Sequence, residues 1–402
     1  MASLKVINSV KYSKALLRLY TFCGNAAVRF LKCFLKTDPK LIVFVSAGGK
    51  LMTDSPKCIY EKMRNDSRFS DYKFVWAFRD VTKFDVPVGH KIQLDSLAYY
   101  INVLKARVWI TNVSMTRGLS FSGIHTFTLN TWHGSAIKMI GADVTNKPNA
   151  FTVSRKKSRR QNKNELLFLA QGDHDVEVWQ RGLQVPKESI CCIGLPRNDD
   201  LVKSNTPDIV KELKQKIGLP TNKKIILYAP TFRDYEKKGG KYLVLSPPVD
   251  FDKWKMNLGN DYILLFRAHP SVVEVMNISD DNPFVKNVSA YPVVNDLMLV
   301  SDIMISDYSS ILFDYSILGR PMLSFAYDYD AYTRERGVYF DIRKELDCMR
   351  IDNEDSLLDE IKHMDIDKRK RIAVNFKNKY VQYYGNATEK AVDIIYGRIK
   401  EG

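Results

Sequence analysis

The sequence predicts an α/β protein of two Rossmann-like halves with a central cleft, and three observations lead there. Short apolar runs of strand length recur along most of the chain and alternate with helical or polar stretches, the pattern of parallel sheets covered by helices. The runs form two series separated by residues 201 to 222, where Asn205-Thr206-Pro207 and Gly218-Leu219-Pro220 mark a crossing. The chain has 402 residues, 45% hydrophobic and 27% charged, which suits two cores and leaves no evident disordered tail.

Residues 9 to 36, SVKYSKALLRLYTFCGNAAVRFLKCFLK, place apolar residues at helical spacing with Lys11, Lys14, Arg18, Arg29, Lys32 and Lys36 among them. The segment contains no run of about 18 uncharged residues, so it is not expected to span a bilayer. No small-residue cleavage site follows it, so a signal peptide is not expected either. Two readings stand: a basic amphipathic helix on an anionic leaflet, or a helix docked on the protein's own body.

After Pro39 the first series of strands is expected at 41–45, 73–77, 108–111, 126–129, 167–170 and 189–193. The second is expected at 224–228, 262–266, 303–305 and 322–325. The division that follows is a helical segment over 1–38, an N-terminal half over 39–203, and a C-terminal half with closing helices over 204–402.

A net charge of +15 implies an anionic partner: nucleic acid, an anionic membrane or a phosphorylated substrate. The basic residues are spread along the chain and the aromatics fall mainly in apolar runs, which argues against nucleic acid. Six cysteines form no CxxC pair and no Cys/His metal spacing, as in a chain from a reducing compartment. Gly48-Gly49-Lys50 is only a short turn and does not meet the P-loop pattern. No GxSxG elbow and no carboxylate pair for two metals stands out, so neither a metal nor a cofactor is expected.

Polar residues follow the strands directly. After 126–129 come Thr131-Trp132-His133-Gly134-Ser135; after 224–228, Thr231-Phe232-Arg233; after 262–266, Arg267-Ala268-His269. After 303–305 comes Asp307-Tyr308-Ser309-Ser310, and a helical run starts at Ile311. Ligands of parallel sheets bind beyond the carboxyl ends of the strands, so these positions are candidates for one site. Each also has a plainer reading. The serines cap a helix as well as they bind a phosphate, a histidine can pack in a turn, and the arginines can be surface charges, although a guanidinium fork suits phosphate oxygens.

The stretches WHGSAIKMIG (132–141), LYAPTFRD (227–234), RAHP (267–270) and SDYSSILFDYSILGRPMLSFAYDYDAY (306–332) resemble the signature blocks of the CDP-glycerol glycerophosphotransferase family. That family comprises the teichoic acid primases and polymerases and their capsule-building relatives. Weaker blocks are GKLMTDSPKCIYEKM (49–63), VWAFRD (75–80) and GLPRNDDL (194–201), in the family's order. The resemblance implies a GT-B-like fold and transfer of an alditol phosphate from a CDP donor to a hydroxyl on a membrane-anchored acceptor, with release of CMP. It implies His133 as general base, work that suits an imidazole with an ordinary pKa of about 6.5. His269 would contact the donor phosphates or assist departure of the leaving group. Implied donor contacts are Thr131, Trp132, Gly134, Ser135, Arg197, Thr231, Arg267, Ser309, Ser310 and Asp314, with Phe232 and Ala268 inside the same motifs. A donor contact by Arg233 is inferred from its charge. Ser135-Ala136 stands where many relatives have Thr-Pro, which keeps a hydroxyl.

The donor implied is CDP-glycerol or CDP-ribitol. The acceptor implied is a polyprenyl-diphosphate-linked saccharide or a growing polymer, met by a peripheral enzyme at the cytoplasmic face of a bacterial membrane. A sugar-nucleotide glycosyltransferase of the same architecture is the alternative within enzymes.

Overall fold

The computed structural model describes residues 14–121, 125–144, 166–233, 237–238, 241–242, 246–276, 278 and 282–401. The chain forms two compact units. The first holds the residues up to His133, then 141–197 and 386 onward; the second holds 134–140 and 198–385.

The first unit is built on seven parallel strands: β1 (Asp38–Val45), β2 (Lys73–Phe78), β3 (His90–Gln93), β4 (Ala106–Thr111), β5 (Phe127–Asn130), β6 (Leu166–Ala170) and β7 (Ile190–Cys192). Their order across the sheet is β3-β2-β1-β4-β5-β6-β7. Side chains alternate between the faces of a strand, and the core splits accordingly. Ile42, Phe44, Phe74, Trp76, Val108 and Ile110 pack on one face with Ile59, Tyr60 and Met63 of the helix Asp54–Arg64. Val43, Val45, Val75, Ala77 and Trp109 pack on the other with Tyr99, Val103 and Leu104 of the helix Leu97–Lys105.

The second unit holds β8 (Lys224–Tyr228), a ribbon of β9 (Lys237–Lys238) and β10 (Lys241–Tyr242), then β11 (Tyr262–Phe266), β12 (Val285–Asn287), β13 (Ile303–Ser306) and β14 (Met322–Ser324). Its main sheet is parallel, in the order β12-β11-β8-β13-β14. Counted within each unit, and leaving the ribbon aside, both sheets begin 3-2-1-4-5. In that order the strand sequence reverses direction beside the first strand, at a switch point where the loops at the carboxyl ends diverge and a ligand can sit. In the first unit this point lies between β1 and β4, in the second between β8 and β13.

All ten expected strands form. Among the described residues, four strands were not revealed by the sequence: the two-residue strands β9 and β10 of the ribbon, and β3 (HKIQ) and β12 (VKN), edge strands whose polar side chains carry no apolar run. The domain division also differs from the expectation. The chain leaves the first unit after Arg197, and the helix Ala387–Lys400, expected with the second half, packs on the first. Ala391, Val392 and Ile395 lie in the core of the β1–β2 face, and Arg68 pairs with Asp393 at 2.8 Å. Residues 134–140 join the second unit as a strap: Met139 N–H donates to Gly337 O at 3.0 Å and Tyr339 N–H to Ile137 O at 2.7 Å. Gly337 has φ +74°, a backbone conformation that favours glycine, and a Cβ there would press on the Met139 side chain, its sulfur 2.7 Å away.

The N-terminal helix runs Lys14–Phe34. One stripe docks on the first unit: Leu17 and Val28 are buried, Tyr20 Oη donates to Arg117 O at 3.0 Å, and Asn25 Oδ1 accepts from Ser120 N–H at 2.8 Å. A second apolar stripe, Leu16, Leu19, Phe22, Phe30 and Phe34, is exposed, with Phe22 and Phe34 more than 70% accessible. No helix among the described residues is long and apolar enough to cross a membrane. Lys11 lies outside the described residues.

Candidate active site

In the first unit the polar groups gather where β1, β4, β5 and β7 end. Thr131 N–H donates to Thr111 O at 2.8 Å, continuing the β4–β5 ladder by one residue. The chain then turns sharply: Trp132 has φ +52° and Gly134 φ +122°. Asn130 holds the turn, its Oδ1 accepting from Trp132 N–H at 2.9 Å and its Nδ2 donating to Val113 O at 3.2 Å. The Trp132 indole stacks on the His133 ring at 4.3 Å and packs against Trp179 at 5.5 Å. This arrangement pushes the His133 imidazole to the surface while its base is fixed.

His133 Nδ1 lies 2.9 Å from Asn112 O, the carbonyl just past β4. Arg197, from the turn after β7, donates through Nη1 to His133 O at 3.1 Å and reaches Asp54 Oδ2 at 3.5 Å. Its guanidinium therefore secures the histidine turn and an acid of its own unit. Thr131 is wholly buried, its hydroxyl donating to Trp132 O at 3.1 Å, and Ser135 is buried as well. The hydroxyls of Thr131 and Ser135, expected on the substrate, are thus placed in the interior.

In the second unit the turns after β8, β11 and β13 converge. Asp307 is the hub of the switch point: Oδ1 accepts from Thr231 N–H at 2.9 Å and from Tyr308 N–H at 2.7 Å, and Oδ2 from Arg233 Nη1 at 2.7 Å. Arg233 is 1% exposed. Its other edge makes a two-pronged pair with Asp328, Nε to Oδ2 at 2.7 Å and Nη2 to Oδ1 at 2.8 Å, and Nη1 also donates to Thr231 O at 2.6 Å. Tyr308, Tyr327 and Tyr332 surround the guanidinium at 5.1 to 5.4 Å. Burial alone would lower the guanidinium pKa, but the Asp307 and Asp328 carboxylates outweigh it and raise it. The expectation that Arg233 meets donor phosphates is corrected here: both its edges are taken by buried carboxylates, and it laces the β8 and β13 turns together.

Arg267 likewise turns to backbone, Nη1 donating to Val288 O at 2.9 Å and Tyr291 O at 2.8 Å, and Ala268 N–H donates to Ser289 Oγ at 2.9 Å. Burial lowers the Arg267 pKa. His269 is exposed and packs on Phe232 at 4.5 Å, so the β8 and β11 turns share a surface. Ser309 and Ser310 open the helix Ile311–Ser316, and Ser310 at the N-cap position makes no side-chain capping bond. The neighbouring Ser309 Oγ accepts from Ile311 N–H at 3.4 Å, so of the two serines only Ser309 meets the helix start. Asp314 is buried, and its Oδ1 accepts from Asn198 Nδ2 at 2.8 Å. Thr231 Oγ1 is buried and has no hydrogen-bond partner among the described residues. A cavity of about 500 Å³ in this unit lies at the opposite, entry end of the strands, among Lys214, Lys223, Lys224 and Asp302, and includes none of the candidate residues.

Sequence reasoning named His133, Thr231, Arg267, His269, Ser309 and Ser310, placed Asp307 in the candidate turn without a role, and missed Asp54, Asn112 and Asn198 as organisers. Asn112 follows β4 directly, and the strand-end rule that found His133 would have found it. Asp54 stands in the block 49–63 with nothing in its local pattern to set it apart.

Two α/β units, one with an oriented histidine and the other with a turn rich in hydroxyls, have the architecture in which ligands sit beyond the carboxyl ends of the strands. The chain belongs to the CDP-Glycerol:Poly(glycerophosphate) glycerophosphotransferase family, which it matches over residues 27–397. It is 33% identical over 378 residues to the teichoic acid poly(glycerol phosphate) polymerase of Staphylococcus epidermidis, covering 90% of this chain and 51% of the relative. The chain thus spans about half the length of that relative. It is also 33% identical over 343 residues to the teichoic acid glycerol-phosphate transferase of Staphylococcus aureus, covering 82% of this chain and 85% of the relative. The solved structure of the wall teichoic acid polymerase TagF is similar at 30% identity and TM-score 0.82 over 94% of both chains. A His-to-Asn variant of TagF soaked with CDPG is similar at TM-score 0.78 and 30% identity, over 91% of this chain and 90% of that one. These matches carry the GT-B-like fold expected from the sequence.

Proposed function

We propose that this chain transfers glycerol phosphate from CDP-glycerol to a hydroxyl of a membrane-linked acceptor and releases CMP, in teichoic acid or capsular polymer synthesis. The hydrogen bond between His133 Nδ1 and the Asn112 carbonyl carries this reading. A carbonyl only accepts, so Nδ1 holds the ring proton and Nε2 is the basic nitrogen. Nε2 takes the proton of the acceptor hydroxyl as its oxygen attacks the phosphorus that bears glycerol. The bond from that phosphorus to the bridging oxygen breaks, and its electron pair leaves with CMP.

Phosphoryl transfer asks mainly for positioning and charge neutralisation. On the second unit, the Thr231 hydroxyl and the serines at Ser309-Ser310 hold the diphosphate, and His269, braced on Phe232, assists departure of CMP. Asp314, held by Asn198, accepts hydrogen bonds from the ribose. Arg233 acts from the interior on the β8 and β13 turns, and Thr131 on the turn that carries His133. The acceptor is a polyprenyl-diphosphate-linked saccharide or growing polymer, reached from the cytoplasmic face of the membrane.

Incubating the full chain and a lipid-linked disaccharide with CDP-glycerol, CDP-ribitol or UDP-sugars separates the readings by the nucleotide released and the product mass. CMP and a product heavier by one glycerol phosphate are expected from CDP-glycerol. His133→Ala should lower kcat by about 10²- to 10⁴-fold. Release of UDP instead, or normal turnover by His133→Ala, would overturn the proposal.

A further inference from the structure

We propose that Asp54 is the positioning residue of the His133 base, setting its tautomer through Asn112; the inference rests on the function proposed above. Asp54 opens the helix Asp54–Arg64 with φ +64°, a left-handed conformation that costs a non-glycine residue free energy and is kept where the surroundings enforce it. Ordinary capping does not account for it. Thr53 stands at the N-cap position and makes no side-chain capping bond, while Asp54 Oδ1 accepts from Ser55 N–H at 2.6 Å. That uses one oxygen. The second faces away from its own helix: Oδ2 accepts from Asn112 Nδ2 at 2.8 Å and meets Arg197 Nη1 at 3.5 Å.

Asn112 is 2% exposed and is gripped from both sides, because its Oδ1 also accepts from Ala47 N–H at 2.9 Å. With the side chain fixed, the backbone carbonyl of the same residue is fixed, and that carbonyl receives His133 Nδ1–H. Arg197 closes the ring by donating to His133 O at 3.1 Å. The loops after β1, β4, β5 and β7 are thus tied to one carboxylate, and all the ties end on the turn that presents the base. Among the described residues the hydrogen-bond partners of the Asp54 carboxylate are the Ser55 N–H, the Asn112 amide and the Arg197 guanidinium. An amide at this position would offer one acceptor and turn its own NH₂ toward a donor, so the Asn112 carbonyl would lose its fixed place.

The experiment reads the tautomer and the rate together. In full chain carrying ¹⁵N-labelled histidine, with the His133 signal assigned from its loss in His133→Gln, the wild type should show His133 protonated at Nδ1. Asp54→Asn should shift the ring toward a mixture of tautomers and lower kcat by about 100-fold, the scale of a misplaced catalytic group, with KM for CDP-glycerol little changed. Asp54→Ser keeps a hydroxyl acceptor at the helix start but has no second oxygen for Asn112, and should shift the tautomer in the same way without loss of helix content. The transposed double variant Asp54→Asn/Asn112→Asp restores an amide donor facing a carboxylate acceptor. It should recover the Nδ1–H tautomer and most of the lost rate. An unchanged tautomer in both single variants, or a double variant no better than Asp54→Asn at equal Tm, would overturn the proposal. A tautomer that moves as expected in a protein that turns over no CDP-glycerol supports the positioning role and sinks the assigned reaction instead.

Discussion

Arg233 shows how far a single residue's meaning depends on its surroundings. In sequence it is a cation after an apolar strand, a pattern equally consistent with phosphate binding and with a surface charge. In the fold it is 1% exposed, paired with Asp307 and Asp328, and ringed by three tyrosines. Residue type and local pattern cannot reveal that, because Asp328 lies 95 positions away in the chain. A buried ion pair broken on one side leaves an uncompensated charge, which costs about 3–5 kcal/mol. Arg233→Ala should therefore lose about that much stability in urea unfolding, and Arg233→Lys, which keeps the charge without the fork, should lose less. Since Arg233 also holds Thr231 O, the alanine variant should bind CDP-glycerol more weakly under conditions where it remains folded. A variant as stable as the wild type would show that the pairs contribute nothing net. The strand-end positions of His133 and His269 were legible because each follows a strand and lies beside a glycine or a proline, and both are exposed there. Asp54 and Asp307 were not assigned, because an organising acid is recognised only by the donors that the fold brings to it.

Among elements, strands with continuous apolar runs were legible and the two polar edge strands were not, as expected when the signal is burial on both faces. The N-terminal helix was half legible. Its helical period was plain, but the sequence left docking and membrane contact as alternatives, and the docked stripe proves to be only one of its faces. Phe22, Phe30 and Phe34 remain exposed on another, and Arg18, Arg29 and Lys32 are exposed beside them. Apolar side chains flanked by cations suit the boundary of an anionic bilayer. We therefore expect the chain to sediment with vesicles containing phosphatidylglycerol. Phe22→Ser/Phe30→Ser/Phe34→Ser should abolish sedimentation with little change in Tm, since these rings have little packing to lose. Replacing Val28 by Asp should do the reverse and destabilise the first unit. Vesicle binding by the triple variant equal to that of the wild type would remove the membrane role from this helix.

For the molecule as a whole, the informative feature is the return of the chain to its first unit. A linear reading assigns everything after residue 203 to one domain, because nothing in an amphipathic helix names its partner. The helix Ala387–Lys400 instead buries Ala391, Val392 and Ile395 against the layer of Ile59 and Phe69, and adds Lys62–Glu389 and Arg68–Asp393 at its edge. The exposed pairs are worth little; the apolar contact carries the attachment. Truncating one such buried side chain, as in Ile395→Ala, should cost about 2–5 kcal/mol. Deletion of residues 386–402 removes the whole layer. Hydrogen exchange on that truncated chain should show protection falling in residues 54–64 and in β1, β2 and β4, while 224–228, 262–266 and 366–380 keep theirs. The linear reading requires the opposite, loss at the end of the second unit. Faster exchange in 366–380 with an unchanged first unit would refute the return crossing.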